Sequence, residues 1–396
     1  MNICMVAYTF YEQDNRVMRY AETLAARGDD VDVLALSLPG QLRYEMIHGV
    51  CVFRIQTRTV GERSQLKYLW RVLLFLINSG IRLSLRHLRH RYDVIHVHSI
   101  PDFEVFAALL PKLLGAKVVL DIHDLVPEFY ASKFGMSRNS LPFRGLLLLE
   151  RMSSRFANHV IIANDLWRER LIKRSVPANR CSVFLNYPDP QIFSVHKRER
   201  CSEAFILVYP GTLQRHQGLD LVIRALAEPP ARQPRVDLHI YGNGTELPAL
   251  KDLAEKLGVA DRVRFQDFMP MREVADRMAL ADAGVVAKRA DTFGNEAFST
   301  KILEFMALGV PVIAARTDVD RFYFDDQTIE FFPSGDVLAL ANAIARIRDD
   351  SARRRQLVEH GLACARRYSW AEHSKRYLAL VDGLAFKNAG LQAVRE

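Results

Sequence analysis

Glu296 and Glu304 lie eight residues apart in the stretch Gly294-Asn295-Glu296-Ala297-Phe298-Ser299-Thr300-Lys301-Ile302-Leu303-Glu304, which runs on into Phe305-Met306-Ala307-Leu308-Gly309-Val310-Pro311-Val312-Ile313-Ala314. The pattern predicts a loop, a helix of at least two turns stopped at Gly309, and a buried strand from Pro311. Glu296 then sits in the loop at the helix mouth, and Glu304 on the helix's third turn. The first amides of a helix have no intrahelical acceptor and favour an anion such as phosphate. Ser299 and Thr300 place their amides there. Lys301 reads equally as a cation for that anion or as a solvated helix residue. Carboxylates flanking a phosphate site can accept hydrogen bonds from sugar hydroxyls, so the chemistry indicated is the binding of a nucleotide sugar. The competing reading is an amphipathic helix with two solvated glutamates.

Around this stretch, short apolar runs alternate with helical patterns. Strands are predicted at Asn2–Ala7, Val31–Leu36, Asp93–His98, Lys117–Ile122 and Val160–Ala163, then at Phe205–Val208, Val236–Ile240, Val263–Phe265, Gly284–Ala287 and Val310–Ala314. Helices are expected from Asp14 to Arg27, closed by Gly28, and near Phe103–Leu114. Continuous Val/Ile runs imply strands covered on both faces, and the alternation implies a doubly wound parallel sheet. The rhythm pauses at Asn186-Tyr187-Pro188-Asp189-Pro190 and the charged run His196–Arg200, which read as a linker. With 396 residues, two domains are expected. Ligands of such sheets bind at the C-terminal strand ends, which here carry Gly211, Gly242 and Gly244, Lys288 and His123.

Composition narrows the classes. Apolar residues make up 49% of the chain, which excludes a disordered protein. Five scattered cysteines without a Cys-x-x-Cys argue against a disulfide framework or zinc site and fit a reducing compartment. The N-terminus lacks a basic leader and reads as a first strand. No run of uncharged apolar residues is long enough to span a membrane; the longest, Val72–Ile77, is bounded by Arg71 and Asn78. The net charge of +8 is uneven: residues 1–190 hold 25 Lys/Arg against 18 Asp/Glu, and the remainder 29 against 28. Residues 63–91 contain seven basic side chains (Arg63, Lys67, Arg71, Arg82, Arg86, Arg89, Arg91) and no acid, with Leu66, Leu69, Trp70, Leu73, Leu74, Ile77 and Ile81 interleaved at helical spacing. A basic amphipathic helix of this kind reads as a membrane-surface element, with Trp70, Arg82, Arg86 and Arg89 facing anionic lipid, or as a helix packed on the sheet with a solvated basic face. No nucleic-acid motif or aromatic-basic platform is present, so nucleic acid is not expected as a partner.

The motif around Glu296 and Glu304 resembles the Glu-x7-Glu signature of retaining family-4 type glycosyltransferases. The likeness extends over nearly the whole chain: Asn186 opens a segment similar to the family's interdomain one. Tyr209-Pro-Gly-Thr-Leu213, His239-Ile-Tyr-Gly-Asn-Gly-Thr-Glu246 and Asp261-Arg-Val-Arg-Phe265 follow in family order, and Trp370 begins a final helix. His123-Asp124-x-x-Pro127-Glu128 resembles the branch that builds bacterial cell-surface polysaccharides. The resemblance implies an α/β protein of the GT-B fold, two doubly wound Rossmann-like domains facing across a cleft. Residues 1–187, with 372–396 crossing back, would form the acceptor-side domain, and residues 188–371 the nucleotide-sugar domain. It implies a retaining, metal-independent transferase with no cofactor, taking a nucleotide-diphosphate sugar as co-substrate. The acceptor expected is a saccharide, lipid-linked or soluble. The setting expected is cytoplasmic, peripheral on the inner face of the membrane.

By the same resemblance Glu296 orients the donor sugar, Glu304 grips the ribose, and Phe298, Ser299, Thr300 and Lys301 complete the donor side. Gly242 and Gly244 sit beside the ribose, with Phe268 and Met269 facing the base. His123 contacts donor sugar or leaving phosphate. The family's usual Arg and Lys after Gly211 are replaced by Thr212 and Gln217. Arg215 is therefore the expected phosphate cation, with Lys288 and Arg289 in reserve. Asp14 and Arg16 match an Asp-x-Arg-Val pattern of a family subset; Asp14 reads equally as an acceptor ligand or the cap of the next helix. His96 and His98 share a strand face near His123, but no Asp-x-Asp pair accompanies them and no metal is expected. Two alternatives remain open: a catalytically silent binding subunit, as the lost Arg and Lys suggest, and a sugar-nucleotide epimerase.

Overall fold

A computed structural model describes residues 1–58, 65–195, 204–232, 234–291 and 293–392. The charged run at 196–200, Arg63 and the side chain of Leu66 lie outside the described residues. The chain divides into two compact units, Met1–Asn186 with His373–Glu396, and Tyr187–Glu372. Of the cysteines, Cys4, Cys51, Cys181 and Cys364 are free thiols.

The first unit is built on eight strands: β1 (Asn2–Phe10), β2 (Asp30–Ser37), β3 (Tyr44–Ile47), β4 (Val50–Thr57), β5 (Val94–His98), β6 (Lys117–Ile122), β7 (His159–Ile162) and β8 (Cys181–Val183). They lie in the order β3-β4-β2-β1-β5-β6-β7-β8. All neighbours are parallel except the β3–β4 hairpin. The second unit carries β9 (Phe205–Pro210), β10 (Val236–Tyr241), β11 (Val263–Gln266), β12 (Ala283–Val286), β13 (Val312–Arg316) and β14 (Glu330–Pro333). Their order is β11-β10-β9-β12-β13-β14, parallel throughout. Strands β5, β7 and β12 are buried at every position, as continuous apolar runs require when helices cover both faces. Both units are doubly wound Rossmann-like α/β domains.

Local chemistry fixes where helices begin and end. The Asp14 carboxylate accepts from the amides of Arg16 and Val17 and caps the helix Asn15–Arg27, and Gly28 closes it at φ 95°. Four strands were not anticipated. β3 and β4 are joined at His48 and Gly49, both at positive φ, a two-residue turn that matches strand twist. β8 and β14 are only three and four residues long. The segment expected as one helix near Phe103–Leu114 is instead a 3-10 stretch, Asp102–Ala108, followed by a short helix, Leu109–Leu113.

The basic amphipathic helix spans Gln65–Arg89. Its portion Lys67–Arg89 is long and apolar enough, by length and composition alone, to cross a membrane, although arginines interrupt its apolar run. Its inner face nevertheless belongs to the unit's core: Val72, Phe75, Ser79, Leu83 and His87 are buried, and it packs on β1, β4 and the 3-10 stretch.

Candidate functional site

The second unit brings most of the sequence-selected residues to the C-terminal ends of β9, β10 and β12. The loops after β9 and β10 are joined by backbone bonds. Gly211 N–H donates to Tyr241 O at 2.8 Å, and Leu213 N–H to Asn243 O at 3.0 Å. Glycine is required for so close an approach: a Cβ on Gly242 would lie 2.0 Å from Gly211 O, and one on Gly244 2.2 Å from Leu213 O. Asn243 Nδ2 reaches Asp267 Oδ1 at 3.2 Å, which ties in the next loop, where Phe268 is exposed and Met269 half-buried. Thr212 is exposed, and its carbonyl accepts from the Tyr209 hydroxyl at 3.0 Å.

The motif helix runs Thr300–Ala307, so Glu304 falls in its second turn, not its third. Ser299 occupies the N-cap position, but its side chain makes no capping bond; the Ile302 amide donates to Ser299 O at 3.2 Å, and the amides of Thr300 and Lys301 face the helix mouth. Lys301 points back over the β9 loop. A Cβ on Gly211 would meet Lys301 Cε at 2.7 Å and Nζ at 3.2 Å, and Nζ lies 5.3 Å from the centre of the buried Tyr209 ring. Among the described residues no carboxylate forms an ion pair with it. Burial lowers the Lys301 pKa and raises that of Glu304, while each charge favours the other's ionised form. His216 lies in the same neighbourhood. Burial lowers its pKa, Asp291 opposes this, and Lys301 and Lys288 add to it.

The loop carrying Glu296 is built as a tight turn. Asp291 Oδ1 accepts from the amides of Phe293 and Gly294 at 3.1 and 2.6 Å, and Glu296 N–H donates to Phe293 O at 3.1 Å. Phe298 packs against Tyr323 and Phe324, ring centres 5.0 and 6.0 Å apart.

Three cations proposed from the sequence behave differently in space. Arg215 is exposed, at the start of a 3-10 turn beside the β9 loop. Lys288 is buried and pairs with Asp320 at 2.9 Å, and Arg289 pairs with Asp220 at 2.6 Å. The last two are corrections: their charges are compensated within the protein. The half-buried Lys301, one of two even readings in the sequence, is the cation held against the glycine loop.

In the first unit His123 follows β6. Its Nε2 is 3.2 Å from Asp121 Oδ2, to which His98 Nδ1 also comes within 3.1 Å. Arg16 completes the cluster, with Nε 2.8 Å from Asp121 Oδ2 and Nη2 2.7 Å from Oδ1. Burial alone would raise the Asp121 pKa, but Arg16 and then His123 hold it well below the usual range. Arg16 is therefore interior, not an acceptor-side ligand, and Asp14 is seen as a helix cap. His96 bonds the Tyr377 hydroxyl at 2.9 Å, and burial lowers the pKa of both His96 and His98. His96, His98 and Asp121 are close enough together to hold a metal ion, but the Arg16 guanidinium already takes both carboxylate oxygens. In the sequence Asp121 reads only as a strand residue; its place two residues before His123, on a strand end, is the signal that marks it.

On the helix Gln65–Arg89, Leu69, Trp70, Leu73, Ile77, Ile81, Leu85 and Leu88 are exposed along one stripe. Arg82 and Arg89 are exposed too. Arg86 is a correction: it bonds Asp32 and the Tyr92 hydroxyl and lies 3.9 Å over the Phe53 ring. The adjoining short helix exposes Leu109, Leu110 and Leu113.

Comparison with known proteins agrees with this architecture. Residues 13–186 match the family described as "Glycosyl transferase 4-like domain", and residues 193–362 match "Glycosyl transferases group 1". A D-inositol 3-phosphate glycosyltransferase of Thermomonospora curvata is 24% identical over 93% of this chain and 89% of its own. A GDP-mannose-dependent alpha-(1-6)-phosphatidylinositol monomannoside mannosyltransferase of Mycolicibacterium smegmatis is 29% identical over 50% of this chain and 53% of its own. The solved sucrose-phosphate synthase of Thermosynechococcus elongatus superposes with a TM-score of 0.76 at 20% identity, over 99% of this chain and 98% of that one.

Proposed function

On the premise that this chain is a nucleotide-sugar-dependent glycosyltransferase of the GT-B fold, a 4-like domain followed by a group 1 domain, we propose that it transfers a sugar with retention of configuration to a lipid-linked saccharide at a membrane surface. One observation carries the reading: Lys301 lies over Gly211, between the glycine loops and the uncapped start of a helix that has Glu296 before it and Glu304 within it. A departing diphosphate needs cations or N–H donors where its charge develops, and Lys301 with the motif-helix amides supplies both. Glu304 accepts from the ribose hydroxyls and Glu296 from those of the donor sugar. The leaving phosphate oxygen takes the acceptor proton on the same face, so no side-chain base and no metal is required. Lys301 stands in for the family's absent Arg and Lys, which favours an enzyme over a silent binding subunit.

The membrane part of the proposal rests on the exposed apolar stripe with Arg82 and Arg89 beside it, and on the Mycolicibacterium relative, whose acceptor is a phosphatidylinositol monomannoside. Each basic side chain near anionic lipid contributes about 1 kcal/mol, and the leucines add apolar contact. The expected location is the cytoplasmic leaflet.

A panel of UDP-, GDP- and ADP-sugars, scored for nucleotide release, for transfer and for the anomeric configuration of the product, tests the chemistry. Turnover with none of them would overturn it, and an inverted product would overturn retention. Sedimentation with phosphatidylglycerol vesicles tests the location. The protein should bind at low salt, release as salt rises, and bind less when Arg82 and Arg89 are changed to Glu. Indifference to these vesicles would point to a soluble acceptor.

A further inference from the structure

Resting on the donor role of Glu296, we infer that the buried pair of Lys288 and Asp320, with Asn295, is the device that positions this glutamate. Lys288 Nζ reaches two groups: Asp320 Oδ2 at 2.9 Å and the carbonyl of Ala297, the residue after Glu296, at 2.7 Å. Asp320 is itself fixed, because Thr317 Oγ1 donates to the same carboxylate oxygen at 2.6 Å. The residue before Glu296 is held from the other side. Asn295 Nδ2 donates to Asp318 Oδ2 at 2.5 Å, Asn295 Oδ1 accepts from the Asp318 amide at 2.9 Å, and Asn295 O from the Val319 amide at 3.0 Å. Both neighbours of Glu296 are thus anchored to the start of one helix, Asp318–Tyr323.

Stability alone does not call for this pair. Removing two charges from water costs several kcal/mol per ion, and apolar residues of similar volume often pack as well or better. What an apolar pair would not supply is the ammonium bond to the Ala297 carbonyl. Lys288 and Asp320 are positioning residues in this reading: they touch the loop that carries Glu296 and act through it.

The test is a comparison of ground-state binding with turnover. Lys288→Met with Asp320→Leu removes both charges together, so neither is left buried alone. UDP and GDP binding, read by calorimetry, should stay within about threefold of wild type, while kcat for transfer falls about 100-fold, the cost expected of a displacement near 1 Å. Wild-type kcat in the folded double variant would overturn the inference. Asn295→Ala leaves the buried pair whole and serves if the double variant fails to fold. It should lower kcat about tenfold, a fraction of that same positioning effect, with diphosphate affinity unchanged; unchanged kcat in it would equally overturn the clamp. The donor reading fails separately, if Glu296→Ala turns over like wild type.

Discussion

Two charged clusters, one in each unit, are built in opposite ways. In the first, Asp121 is saturated: Arg16 takes both its oxygens, His98 and His123 share one of them, and only His123 of the four is partly exposed. In the second, Lys301 is held against a glycine loop beside uncapped helix amides, with no carboxylate paired to it among the described residues. The first cluster is a finished support that presents one imidazole. The second leaves an ammonium over the glycine loop without an ion-paired carboxylate among the described residues, as the proposed diphosphate site requires. A site that must bind and release a diphosphate needs the latter, since a cation already paired internally has little left for a ligand.

The sharpest break in this comparison is to remove the cation that has no ion pair among the described residues. Lys301→Met should lower kcat/KM about 100- to 1,000-fold, the cost of losing one group that stabilises developing charge, and Arg215→Ala should lower it less. The reverse ranking in steady-state assays would move the phosphate role to Arg215.

Removing the compensated carboxylate tests the first unit through stability. Asp121→Asn leaves the Arg16 guanidinium buried without its counter-charge, and unfolding free energy should fall by about 3–5 kcal/mol in urea titrations. His123→Ala leaves the pair whole and should keep wild-type stability while losing activity. Equal stability loss in both variants would mean that His123 belongs to the support.

A smaller effect is expected at Glu304. The ribose contacts proposed for it would persist through the reaction, so Glu304→Gln should raise the donor KM roughly tenfold, about 1.4 kcal/mol of uniform binding, with little change in kcat. A KM like that of wild type would remove Glu304 from the ribose.

The subtlest test concerns Glu104, buried beneath the amphipathic helix. Burial raises its pKa from 4.5 to about 8. The folded state therefore holds this proton while the unfolded chain has released it, so the unfolded state binds fewer protons between those values. Stability should accordingly fall as pH rises through that window. Glu104→Gln should flatten this part of the stability–pH curve, measured by thermal melts at several pH values; an unchanged slope would show that Glu104 is not the group responsible.

Much of this molecule is legible along the chain because the signals are local. Apolar runs locate most of the parallel strands, Asp14 and Gly28 bracket their helix, and the Gly211, Gly242 and Gly244 loops mark where two backbones meet. The motif helix is read correctly but begins later than its pattern suggests, at Thr300. The His48-Gly49 turn, which joins two strands of the first sheet, carries no Asn-Gly or Asp-Gly signal, so its hairpin escapes notice. The stretch Asp102–Leu113 escapes for a different reason. Its apolar spacing is helical, but Asp102 and Glu104 are buried in a 3-10 turn against the neighbouring helices.

What the sequence determined by itself is the alternation that makes two Rossmann-like domains, and the glutamate-bearing motif at a helix mouth. It could not determine which cations are spent. Along the chain Arg16, Arg86, Lys288, Arg289 and Lys301 are alike, each a positive charge near an apolar run. Their fates depend on carboxylates far away in sequence: Arg16 meets Asp121 across 105 residues, Arg289 meets Asp220 across 69, and Arg86 meets Asp32 across 54. A charge takes on its function from what lies within a few ångströms, because its interaction energy falls with distance and with hydration. That proximity is a property of the folded chain, and it is what sets Lys301 apart from the rest.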